Sequence, residues 1–132
     1  MRRGEASLLA GTFFPAMTPL ETADLLTVEF PELSIALHAP KMTTSFYRQL
    51  DCFAAFTRRA VAAGRLDVLR HCFAVADSLL RHADRYLSAA IENVYLHCLH
   101  LDGSTYGNQL ARQLMPVSLY QAYNRPHTNM LP

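Results

Sequence analysis

Two His-Cys dipeptides are the residues best suited to chemistry: His71-Cys72, and His97-Cys98 followed by His100. Imidazole and thiolate both ligate zinc, and four such groups on neighbouring antiparallel helices would suit a tetrahedral site. The spacing argues against it. Adjacent residues on a 3.6-residue helix point about 100° apart, so each histidine turns away from its cysteine. Cys72 and Cys98 also fall in or beside apolar stripes. The pattern therefore reads as small core cysteines with surface histidines beside them, and no metal site is expected. His71, His97 and His100 remain as weak metal candidates, and the last two, three positions apart, could share an adventitious ion.

The third cysteine is Cys52. An odd number of cysteines, widely spaced and with no CxxC, does not build a disulfide framework. Reduced thiols suit a cytosolic protein. A cysteine nucleophile needs an exposed, electropositive setting. Cys52 beside Phe53, and Cys98 within YLHCLHL, are instead expected to be buried and inert. Among the acids, Asp77 and Asp84 read as solvent-face or capping residues, and Glu92 as a lone carboxylate beside Asn93. General acid–base catalysis wants a perturbed carboxylate in a cleft, and none is indicated. There is no nucleophile elbow, phosphate-binding loop, dinucleotide fingerprint or HExxH. Five scattered glycines offer no phosphate cradle. The chain is expected to be no enzyme and to carry no cofactor.

Charge points the same way. Twelve basic residues against 11 acidic ones leave +1, too balanced for a dedicated nucleic-acid or anionic-membrane binder. All the basic residues but Lys41 are arginines, yet they are spread over several helices among Asp51, Asp67, Asp77 and Asp84, as on solvated faces. At 51% hydrophobic and 17% charged residues the chain is no disordered polymer. No apolar run reaches the ~18 residues of a membrane span. What stands out is tyrosine: Tyr106, Tyr120 and Tyr123 cluster in the last quarter with Met115 and Leu119, and Tyr and Met are enriched at protein interfaces. These tyrosines are the candidate partner-binding residues, with closure of the bundle as their alternative role.

The elements that must position them are helical. Thr18-Pro19-Leu20-Glu21 supplies a cap, a proline at the first helical position and a capping box, so a helix should run from Pro19 to about Glu29. Phe30-Pro31 breaks it, and a turn or two follows over 33–38. Thr44 or Ser45 caps a long helix to Ala63, with Phe46, Leu50, Phe53, Thr57 and Ala60 on one stripe and Arg48, Arg58 and Arg59 off it. Gly64 ends it in the left-handed conformation. The next helix runs from Leu66 to about Leu80 on the stripe Leu66, Leu69, Phe73, Ala76 and Leu80. So short a link makes an antiparallel αα-hairpin. A helix capped by Asp84 follows to about Leu99, with Leu87, Ile91, Val94, Cys98 and Leu101 inward. Short helices are expected over 106–115 and 117–123, the first ended by Pro116. No segment alternates as a strand. The fold class is thus all-α, a single-domain bundle of five or six helices built on that hairpin. Residues 17–123 form the domain. Residues 1–16, ahead of a plausible start at Met17, make a loosely ordered extension that only faintly imitates a signal peptide, and 124–132 make a tail.

Three stretches, MTPLETADLLTVEFPEL, FTRRAVAAGRLDVLRHCFAVADSLL and YLSAAIENVYLHCLHL, resemble a family of small bacterial all-helical proteins. Some members of such families are similar to immunity proteins encoded beside polymorphic or contact-dependent toxins. The resemblance covers about residues 17–101. It implies a non-catalytic protein-binding role in the cytoplasm, with a toxin as partner. Two departures stand out: the near-neutral charge, where immunity proteins are often acidic, and His97, where the pattern has an acid. No functional residue carries over. A helical metal- or ligand-binding protein using the three histidines is the alternative, and the wide apolar stripes also allow a homodimer.

Overall fold

The computed structural model describes residues 17–101 and 103–125. The proposed extension over 1–16 and most of the proposed tail, 126–132, lie outside the described residues. Within them the chain is all-α, one helical domain.

Four of the described helices begin where the sequence supplies a capping side chain. Thr18 accepts from the Glu21 amide at 3.1 Å while Glu21 accepts from the Thr18 amide at 2.9 Å, opening α1, Pro19–Glu29. Phe30-Pro31 breaks it into a 3-10 turn, Pro31–Leu33, and a one-turn α2, Ser34–Leu37. Ser45, not Thr44, accepts from the Arg48 amide and caps α3, Phe46–Ala63. Gly64 takes φ +69°, the region where a Cβ clashes, and α4, Leu66–Arg81, turns straight back along α3. Asp84 caps α5, Arg85–Ala90, at 2.9 Å. Thr105 caps α6, Tyr106–Leu114, and Pro116 precedes α7, Val117–Asn124. The described residues thus form seven helices, or six with the one-turn α2 set aside. No helix among them is long and apolar enough to cross a membrane.

α3 is the axis, packing against α1, α2, α4, α5 and α6. Phe53 sits at its centre, fully buried, 5.4 Å from the Phe30 ring and stacked at 4.7 Å on Tyr95. Thr57 and Tyr95 satisfy each other's buried hydroxyls here. Thr57 donates to the Phe53 carbonyl at 2.9 Å and so accepts from the Tyr95 hydroxyl, also at 2.9 Å.

The phase of the fifth helix departs from the expected stripe. After Ala90 the chain widens into a π segment, Ile91–Leu96, whose bonds span one residue more than those of an α-helix. That extra residue rotates the following side chains. Tyr95, Leu96 and Leu99 are buried, whereas Val94 and Cys98, expected inward, are half-buried. His100 then ends the helix at φ +53°, the left-handed stop usually left to glycine.

α2 is tied to α1 by a histidine. The His38 ring lies 2.8 Å from an Asp24 oxygen and 3.0 Å from the Ser34 carbonyl. The bond to Asp24 raises its pKa above the usual 6.5, with the Ser34 carbonyl adding to it. A raised folded pKa means that the stabilisation is complete below the unfolded value and is lost as pH rises through the folded one. The melting-temperature gap between wild type and His38→Gln should therefore be widest below pH 6.5 and close above it. A gap that holds to high pH would contradict this.

Candidate functional site

α6 and α7 fold back over the α3–α4 hairpin and carry the tyrosines. Leu119 and Ala122 are buried and Tyr123 packs against the core from its rim, a spacing of three and four that sets the inward face of α7. Tyr120 lies off that face and is 40% exposed, stacked on Tyr123 with ring centres 6.5 Å apart. Tyr106, at the first position of α6, is 79% exposed. The structure thus divides the three: Tyr106 and Tyr120 face solvent, and Tyr123 belongs largely to the bundle. Val117, 73% exposed, joins the first two. The sequence carried a signal for it, since Val117 stands two residues from Leu119 and so on the opposite side of the helix.

Between α6 and α7 runs an open groove of about 560 Å³, lined by Gln109, Gln113, Met115, Val117, Tyr120 and Gln121. Carboxamides both donate and accept, so this floor matches a polypeptide backbone as well as side chains. Arg112 braces its base, donating to the carbonyls of Leu101 and Gly103. No acidic residue occurs in 103–125.

The histidines do not form one set. His71 on α4 lies 2.7 Å from a Glu29 oxygen and packs its ring 4.6 Å from that of Phe30, pinning α1 to α4. His97 and His100 do come together, ring centres 6.1 Å apart. Among the described residues no three His, Cys, Asp or Glu side chains gather as a metal-holding group.

The cysteines are less uniform than expected. Cys72 is buried, but Cys52 and Cys98 are half-buried at the core edge, Cys98 because the π turn rotates it outward. Desolvation raises all three thiols, Cys72 to about 11, so none is a ready thiolate at neutral pH. With a maleimide at pH 7, Cys72 should react only when the fold opens, at a rate that tracks denaturant. Labelling of Cys72 as fast as that of Cys52 would show the core to be loose.

Three charged residues differ from the sequence reading. Asp77 is buried, not on the solvent face. It falls with Phe73, Ala76 and Leu80 on the inward stripe of α4. One of its oxygens is 3.7 Å from Arg81 and the other has no partner. Glu92 is not alone, since Arg125 just after α7 pairs with it at 2.6 Å and ties α7 to the π segment. Arg58 lies off the α3 core stripe, yet it is half-buried and donates to the Cys98 carbonyl, closing the end of the π-containing helix. A long side chain off the stripe reaches the next helix along.

Two more grooves flank the place where α6 crosses α3. There a Cβ on Gly107 would come 3.4 Å from a Val61 methyl, about van der Waals contact, so the two helices approach closely. One, about 570 Å³, is lined by Arg58, Leu99, His100 and Asn108; the other, about 430 Å³, by Leu66, Leu69, Tyr106 and Leu110.

A protein-family model described as a domain of unknown function (DUF7674) matches residues 23–131, most of the chain. No curated protein and no solved structure matches it.

Proposed function

We propose that this chain, which belongs to the family of the domain of unknown function DUF7674, is a non-catalytic protein-interaction module whose partner docks on α6 and α7. The observation that carries the reading is the exposure of Val117 and Tyr120 on a carboxamide-lined groove, with Tyr106 exposed at the start of α6. Apolar side chains left in water cost free energy that a partner recovers, and tyrosine is among the residues that dominate binding energy. The raised thiols support the absence of a nucleophile.

The partner in the finer reading is a bacterial toxin, neutralised in the cytoplasm. The resemblance of residues 17–101 to immunity proteins supports it, and with no acids over 103–125 the α6–α7 surface suits a neutral or acidic toxin surface rather than a basic one. Co-expression with a toxin encoded beside this gene is the test. The wild-type chain should rescue growth, and the double variant Tyr106→Ala/Tyr120→Ala should fail while still folding. Equal rescue by both removes the α6–α7 surface, and no rescue by either removes the toxin.

A further inference from the structure

The most exposed large apolar side chain among the described residues lies elsewhere. Ile35 on α2 is 91% exposed, and Val28 on α1 is 75% exposed. A singly exposed apolar side chain is ordinary on a surface, so what surrounds it decides whether it is a contact site. The flanking charge here has one sign. Residues 17–40 hold Glu21, Asp24, Glu29 and Glu32 and no lysine or arginine. The acidic hairpin is thus set apart from a chain that is otherwise net basic.

Beside it lies the opposite surface. Glu32, one turn before Ile35, lines a cleft with Phe56, Arg59, Ala63 and Arg65. Ala63 also lines the apolar groove of about 430 Å³ that runs between Leu66 and Tyr106. The cleft thus includes Glu32 of the acidic segment and shares Ala63 with the apolar groove, so an exposed apolar knob with acids, a cationic corner and an apolar groove adjoin one another. A face holding both halves of a complementary pair is what a twofold contact requires, because each copy then gives what it receives. Opposite charges fix the register of such a contact.

We propose that the chain forms a twofold dimer in which Ile35 of each copy enters the Leu66–Tyr106 groove of the other, with Glu32 against Arg65 across the interface. The contact goes beyond the partner surface on α6–α7 and shares only Tyr106 with it. Tyr120 stands outside, so Tyr120→Ala leaves the dimer intact and the two readings fail separately.

Sedimentation equilibrium of the full chain across the micromolar range should show a species of twice 14.8 kDa. Ile35→Asp, at a side chain that folding hardly covers, should weaken association by about tenfold or more, with a melting temperature equal to that of the wild type at dilutions where both are monomeric. Glu32→Arg and Arg65→Glu should each weaken it alone, and an equimolar mixture of those two variants should restore it, since both cross-interface pairs are then opposite in sign. A bond within one chain cannot be restored by mixing. A chain that stays monomeric, a dimer indifferent to Ile35→Asp, or a mixture no tighter than its components overturns the proposal. A monomer in which Ile35→Asp costs affinity for some other protein also overturns it, and gives this face to a different partner.

Discussion

Phe53→Ala should destabilise the domain by about 3–5 kcal/mol, the cost of removing a buried phenylalanine and leaving a cavity. Phe53 is fully buried at the middle of α3 and holds Phe30 on one side and Tyr95 on the other. The side chains around it come from α3 itself, from the π segment and from the Phe30 junction after α1, so no single neighbour can move to fill the space. The loss reaches further than its area. Tyr95 keeps its hydroxyl on Thr57 only while its ring is held, and a buried hydroxyl without a partner costs about 1–3 kcal/mol more. Against a total stability of about 5–15 kcal/mol, this variant stands near the edge of folding. Urea denaturation measures it, with Arg48→Ala as the control, since Arg48 is exposed and its loss should cost under about half a kcal/mol. Arg58 cannot serve, because its guanidinium holds the Cys98 carbonyl. Equal losses at Phe53 and Arg48 would mean that α3 presents another face to the core.

Local chemistry is why the fold was legible. A capping box, a left-handed glycine and a capping aspartate act within four residues of themselves, so Thr18, Gly64 and Asp84 mark helix ends whatever the tertiary structure. The π turn at Ile91–Leu96 is different. Nothing in IENVYL announces it, and the gain comes from fitting Tyr95 between Phe53 and Thr57, residues some forty positions earlier. The same holds for Arg58 and Glu92, whose partners lie on other elements. Asp77 was legible in principle, since it repeats the spacing of Phe73, Ala76 and Leu80, but an acid on an apolar stripe reads more readily as a surface residue. Of the candidate site, Tyr106 and Tyr120 could be singled out as aromatic rings near the chain end. The carboxamides of Gln109, Gln113 and Gln121 could not, because glutamine is an ordinary surface residue until the fold places three of them around one groove.

The larger functional effect should come from Tyr120. Its ring lies beside that of Tyr123, centres 6.5 Å apart, and the residue is 40% exposed, so it is partly held before a partner arrives and loses less freedom on binding. A tyrosine that anchors an interface is worth about 2 kcal/mol or more, roughly thirtyfold in affinity. Folding asks less of it, since the core beneath α7 is made by Leu119 and Ala122. The central claim is that α6 and α7 present a binding surface, and one paired measurement tests it most directly: titration of the partner protein against wild type and Tyr120→Ala, with a thermal melt of each. The expected result is affinity weakened by roughly thirtyfold at an unchanged melting temperature. Unchanged affinity, or a loss of affinity that comes only with a fallen melting temperature, would show that Tyr120 closes the bundle and binds nothing.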